Sequence, residues 1–91
     1  MEQLESSEKK YTSEELEEWL ISQISKELDI EEDNINIELP FANYGFDSVS
    51  VVGLSGELED LLNIKLNPTI VYEYPTIQKL ARHLYQLQKG K

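Results

Sequence analysis

Asp47 and Ser48 stand where a glycine-containing turn, "YGF", gives way to an apolar helical pattern, "VSVVGL". Aspartate is a favoured N-cap, so Ser48 is expected as the first residue of a helix running to Leu62. There its hydroxyl would sit among amides that the first turn leaves unpaired, at the positive end of the helix dipole. That position is hospitable to an anion, including a phosphate attached to the serine. Capping alone accounts for the pair equally well, because Asp-Ser is common at helix starts. Other chemistry is sparse. The nucleophile elbow of hydrolases needs glycines two residues either side of its serine, and Phe46 and Ser50 stand there. The one histidine, His83, falls in the Leu80, Leu84, Leu87 pattern of a late helix as an exposed or edge residue, so a hydrolase lacks its base. Asp29, Glu31 and Asp33 alternate like the first ligands of an EF-hand loop. The sixth position, however, is Asn34 where glycine is needed, and the twelfth is Pro40 where a bidentate carboxylate is needed. No metal site is expected.

The elements that would position Ser48 follow from periodicity. Thr12 and Glu15 match a capping box, and Leu16, Trp19, Leu20, Ile24 and Leu28 recur at three- and four-residue steps on one stripe. Glu14, Glu17, Glu18 and Lys26 lie off that stripe as a solvated face. The stretch from Asp29 to Pro40 predicts a long, ordered loop, with Ile30, Ile35, Ile37, Leu39 and Phe41 as apolar pins over a helical core. After Leu62, Asn67 and Pro68 suggest the cap and first residue of a helix of one or two turns that Pro75 ends. Thr76 then caps a last helix to Gln88, with Ile77, Leu80, Ala81, Leu84 and Leu87 inward and Gly90 just beyond its end. The expected fold class is all-α, a four-helix bundle with three long helices, one short helix and a long first loop.

On a helical wheel, Val51, Leu54, Leu58, Leu61 and Leu62 form the core arc of the helix that starts at Ser48. Val49 and Val52 fall on the opposite side, with Gly53 and Gly56 among the outward positions and Glu59 and Asp60 flanking. Two valines beside the serine suggest a small docking patch. Each glycine costs about 1 kcal/mol against alanine inside a helix, and close approach by a partner would give that cost a purpose.

Composition bounds the rest. The chain has 91 residues, enough for one domain with a modest core. Its formal charge is −10, which opposes nucleic acid and anionic membranes. All of that excess lies in residues 1–38, with thirteen acids and three bases, against five of each in residues 39–91. Residues 1–11 lack apolar periodicity and are expected as a disordered lead-in or linker, with the domain spanning residues 12–91. Cysteine is absent, so any thiol the protein uses must come from outside its sequence. No apolar run approaches the roughly 20 residues that span a bilayer, and no signal peptide is seen, so a cytoplasmic monomer is expected.

"YGFDSVSVVGLSGELEDLL" followed by "LNPTIVYEYPTIQKLARHL" resembles the acyl carrier proteins and carrier domains of polyketide and fatty-acid synthases, over residues 12–88. The most specific part is G-x-D-S, here Gly45, Phe46, Asp47 and Ser48. It is joined to the late Y-x-Y-P-T-I-x-x-L-A segment, and Val49 stands in place of the usual Leu. The resemblance implies that Ser48 receives 4′-phosphopantetheine from coenzyme A through a separate phosphopantetheinyl transferase. Asp47 and Gly45 then belong to the motif, and the helix from Ser48 is the main recognition element. A non-catalytic carrier is implied, shuttling acyl thioesters to partners such as a ketosynthase and an acyl-loading enzyme, a fatty acyl-AMP ligase or an acyltransferase. Asp47 favours an acyl carrier, and Ser50, Gly53 and Gly56 in outward positions tilt the subtype toward a polyketide synthase. Carriers linked to β-branching often have Trp six residues after the serine, where Leu54 stands. A peptidyl carrier and an unmodified helical adaptor remain as alternatives.

Overall fold

A reciprocal cap starts the first helix: Glu15 N donates to Thr12 Oγ1 at 3.0 Å, and Thr12 N donates to Glu15 Oε1 at 3.0 Å. The computed structural model describes residues 10–89; residues 1–9 of the expected lead-in, and Gly90, lie outside the described residues. The helices are α1 (Ser13–Leu28), α2 (Ser48–Leu62), α3 (Ile70–Glu73) and α4 (Ile77–Lys89). Among the described residues there is no strand, only an isolated bridge between Pro40 and Thr76. The architecture is thus the expected one, with three long helices, one short one and a long first loop. Both α1 and α2 end on residues with left-handed backbone, Asp29 and Asn63, each at φ 57°. Asp and Asn tolerate that conformation, which stops a helix without glycine.

The core draws on every element. Leu16, Leu20 and Ile24 of α1, Val51, Leu54 and Leu58 of α2, and Ile77, Leu80 and Leu84 of α4 are buried. Ile70 and Val71 close it from α3, and Phe41 from the loop. Trp19, Leu28, Leu61, Leu62 and Leu87 pack against this cluster while remaining partly exposed. α1 lies along α4, whereas α2 meets α3.

The long loop is pinned by its backbone as well as by its side chains. Phe41 N donates to Pro75 O at 2.8 Å, and Gln78 N donates to Ile37 O at 3.0 Å. Tyr44 Oη accepts from Asn36 N at 2.6 Å and donates to Asn36 O at 2.7 Å. Such pairing satisfies amides that a loop of this length would otherwise leave to solvent. Of the expected apolar pins, Phe41 is buried and Ile35 and Ile37 pack on the core, while Ile30 and Leu39 are half-buried.

One expectation is corrected. Asn67 does not cap α3, which begins later, at Ile70. Its Oδ1 instead accepts from Thr69 N and Thr69 Oγ1, each at 3.0 Å, an Asx turn that leads the chain into the helix. At the other end α4 continues through Gln88, whose side chain is buried. Gln88 Oε1 accepts from Tyr11 N at 2.9 Å and Nε2 donates to Tyr11 O at 2.8 Å, which ties the residue before the Thr12 cap to the end of α4. Thr76 caps α4 as expected, with Lys79 N donating to Thr76 Oγ1 at 3.1 Å.

Candidate functional site

The turn before α2 aims Ser48. Gly45 takes φ 83°, a left-handed conformation open to glycine without strain, and its N–H closes onto Ala42 O. Phe46 follows, its ring 5.7 Å from that of buried Phe41, so the turn is anchored to the core from within. Asp47 is extended (φ −102°, ψ −177°) and caps α2: its Oδ1 accepts from Ser50 N at 2.9 Å. That backbone donor holds the Asp47 carboxyl below its ordinary range.

Ser48 itself is exposed, and among the described residues no hydrogen bond occupies its hydroxyl. Asp47 does the capping, which frees the serine oxygen for other chemistry. An exposed hydroxyl at a helix N-terminus fits a covalently attached phosphodiester, since helix amides and dipole favour the negative charge.

Around Ser48 the wheel reading is reproduced for the valines and glycines. Val49 is 77% exposed and Val52 57%, while Val51 between them is 3% exposed. Gly53 and Gly56 are exposed, and a Cβ at either would meet nothing within 4 Å. Asp60 is exposed, but Glu59 is placed differently from expectation. Glu59 is half-buried and its Oε2 accepts from Leu66 N at 2.7 Å, which holds the α2–α3 connection. Its carboxylate is spent inside the chain because the amide of Leu66 needs an acceptor.

Several neighbours had no signal in the sequence. Ser50 Oγ donates to Glu27 Oε2 at 3.1 Å, joining α2 to α1 one turn from the serine, and Gln23 and Glu57 flank the same seam. Only the tertiary approach of α1 brings Gln23 and Glu27 to this seam. His83 lies far from this chemistry in role as well as in sequence: it stacks on Tyr74 at 4.0 Å between ring centres and 12° between planes. Asp29, Glu31 and Asp33 form no metal-binding group among the described residues.

The profile of the family described as "Phosphopantetheine attachment site" matches residues 18–84. The chain belongs to that family. Its members are carriers that hold 4′-phosphopantetheine covalently. "Polyketide synthase PksL" of Bacillus subtilis is 36% identical over 66 residues, 72% of this chain and 2% of that protein. "6-methylsalicylic acid synthase" of Aspergillus niger is 35% identical over 82 residues, 86% of this chain and 5% of that protein. The chain therefore spans a small fraction of the curated relatives it matches. Among solved structures, Asl1650, an acyl carrier protein from Anabaena with a variant phosphopantetheinylation-site sequence, is 35% identical with a TM-score of 0.80. The match covers 97% of this chain and 96% of that one. A free-standing peptidyl carrier protein from Acinetobacter baumannii is 33% identical, also at 0.80, covering 84% and 95%. No helix among the described residues of this carrier is long and apolar enough to cross a membrane.

Proposed function

We propose that Ser48 Oγ is the attachment point and that the chain works as a non-catalytic, cytoplasmic acyl carrier in polyketide biosynthesis. The observation that carries this is the exposed Ser48 hydroxyl at the first residue of α2, with the neighbouring Asp47 taking the capping role. In the transfer a separate phosphopantetheinyl transferase joins Ser48 Oγ to the pantetheine-side phosphorus of coenzyme A as the pyrophosphate bond breaks; adenosine 3′,5′-bisphosphate leaves, the hydroxyl proton passes to solvent, and a phosphodiester remains. When bound, the group supplies the thiol that a cysteine-free chain lacks, on which acyl chains ride as thioesters. Gly45 and Asp47 hold the turn and cap in the shape a transferase meets.

The protein's own contribution after loading is presentation. Val49, Val52, Gly53, Gly56 and Asp60 make an exposed surface beside Ser48, apolar near the serine and acidic toward the helix end. That surface suits an enzyme with an apolar centre and a basic rim, with ketosynthase and acyl-loading enzyme (fatty acyl-AMP ligase or acyltransferase) as the proposed partners. Glu59 is left out of it, because Leu66 occupies its carboxylate. The polyketide subtype is supported by the names of the relatives, PksL and 6-methylsalicylic acid synthase among them. A peptidyl carrier is the second reading, favoured by the likeness to the Acinetobacter structure.

Incubation with coenzyme A and a broad-specificity transferase, followed by intact-mass measurement, tests the proposal. The wild type gains one phosphopantetheine and Ser48→Ala gains none. An unmodified wild type would mark the chain as a helical adaptor, and a modified Ser48→Ala would place the arm elsewhere.

A further inference from the structure

The seam between α1 and α2 stays open beside Ser48. α1 lies along α4 and α2 against α3, and a groove of about 220 Å³ runs between the two. Val49 and Ser50, the two residues that follow the serine, form part of its wall, so the groove comes within two residues of Ser48 along the chain. We infer that this groove seats the amide-bearing part of the pantetheine arm, an inference that rests on Ser48 carrying that arm.

The lining matches the arm's chemistry. Pantetheine is neutral along its length, with two amides, a hydroxyl and a branched apolar carbon near the phosphate. Phe46, Val49 and Leu54 offer apolar surface for the branched carbon. Glu27 and Glu57 offer carboxylate acceptors for amide N–H and hydroxyl groups, and the Gln23 amide both donates and accepts. Glu27 already accepts from Ser50 Oγ in an exposed hydrogen bond, which leaves its second oxygen for a further donor. The same carboxylates oppose an anionic occupant, so they favour the neutral arm over the phosphate or a charged acyl end.

Gly53 supplies the width. A Cβ at that position would meet nothing within 4 Å, so the packing of this chain does not demand glycine there. Glycine lowers helix stability relative to alanine, and its place in mid-α2 beside the groove is explained if an occupant approaches the backbone. A longer side chain at 53 would project into space the arm needs while leaving the core untouched.

The test compares amide ¹H–¹⁵N shifts of apo and holo protein, with intact mass recorded on each sample. Expected are a mass gain and shift changes reaching Gln23, Gly53 and Glu57 in the holo form. In holo Gln23→Trp, which fills the groove from the α1 side, gains the same mass and keeps the apo helical signal, the changes at Gly53 and Glu57 are lost. Shift changes confined to Asp47–Ser50 in the wild type, or unchanged at Gly53 and Glu57 in Gln23→Trp, overturn the groove and leave Ser48 as the attachment point. Absence of the mass gain overturns Ser48 first, and the groove with it.

Discussion

Val51 and Val52 are chemically identical neighbours on α2 with opposite surroundings, 3% and 57% exposed. Truncating either to alanine removes two methyl groups. At Val51 each buried group is worth about 0.8 kcal/mol and the residual cavity adds to that, for a loss of about 2 kcal/mol. At Val52 most of the side chain is already in water, so the loss stays within about 0.5 kcal/mol. Alanine's better helix propensity offsets a few tenths of a kcal/mol at both positions alike, so the difference between the variants, about 1.5 kcal/mol, is the sharper quantity. Urea titrations followed by far-UV circular dichroism measure it, with equal slopes required so that midpoints report stability alone. In a domain of this size each kcal/mol moves the melting temperature by about 4–8 °C, so thermal scans give an independent reading. Equal losses at the two positions, or a neutral Val51→Ala, would refute the phase of α2. The exposed surface assigned to Val49 and Val52 would fall with it.

Leu58 is fully buried, and Leu58→Ala is expected to cost about 2–5 kcal/mol in the same titrations, a large share of the stability of a small domain. Val52→Asp is expected to melt near the wild type yet slow acyl transfer with the cognate loading enzyme or ketosynthase; a large loss of stability or unchanged transfer kinetics would remove the docking role. Asp47 contributes stability that is complete above its ordinary carboxyl pKa of 3.8 and is lost as pH falls through its lower folded value, because the Ser50 amide favours the ionised form. Asp47→Asn, which keeps a cap without a titrating group, is expected to flatten that part of the stability–pH curve; an unchanged slope would show the cap bond to be weak. Glu17 runs the other way: burial raises its carboxyl pKa above 4.5, so stability present below that value is lost as pH rises through the folded pKa, and Glu17→Gln is expected to remove this decline.

What the sequence made legible is what local chemistry writes along the chain. The Thr12 and Glu15 cap, the Asp47 cap and the separation of Val51 from Val49 and Val52 all depend on residues within one or two turns, where spacing carries the signal. The pairings that crossed the chain were silent. Gln88 reads as a polar residue at a helix end, yet its amide pairs with Tyr11, 77 residues away. Glu59 reads as a surface acid, yet it serves the amide of Leu66. Asn67 has the right residue type for a cap and forms an Asx turn instead, because Pro68 and Thr69 fold as a turn before α3 begins. The groove beside Ser48 belongs to the same class: it exists only once α1 stands next to α2, and no periodicity marks Gln23 or Glu27 for it.

Two serines near the start of α2 could each offer a hydroxyl to a transferase. Ser48 is exposed and its hydroxyl has no hydrogen bond among the described residues, whereas Ser50 two residues on is half-buried and its hydroxyl donates to Glu27. Fragmentation mass spectrometry of the peptide spanning residues 44–54, taken from protein treated with coenzyme A and a transferase, locates the added group directly. Every modified fragment is expected to carry it on Ser48. Modification at Ser50, or a peptide that carries no added group, would rule out Ser48 as the attachment point.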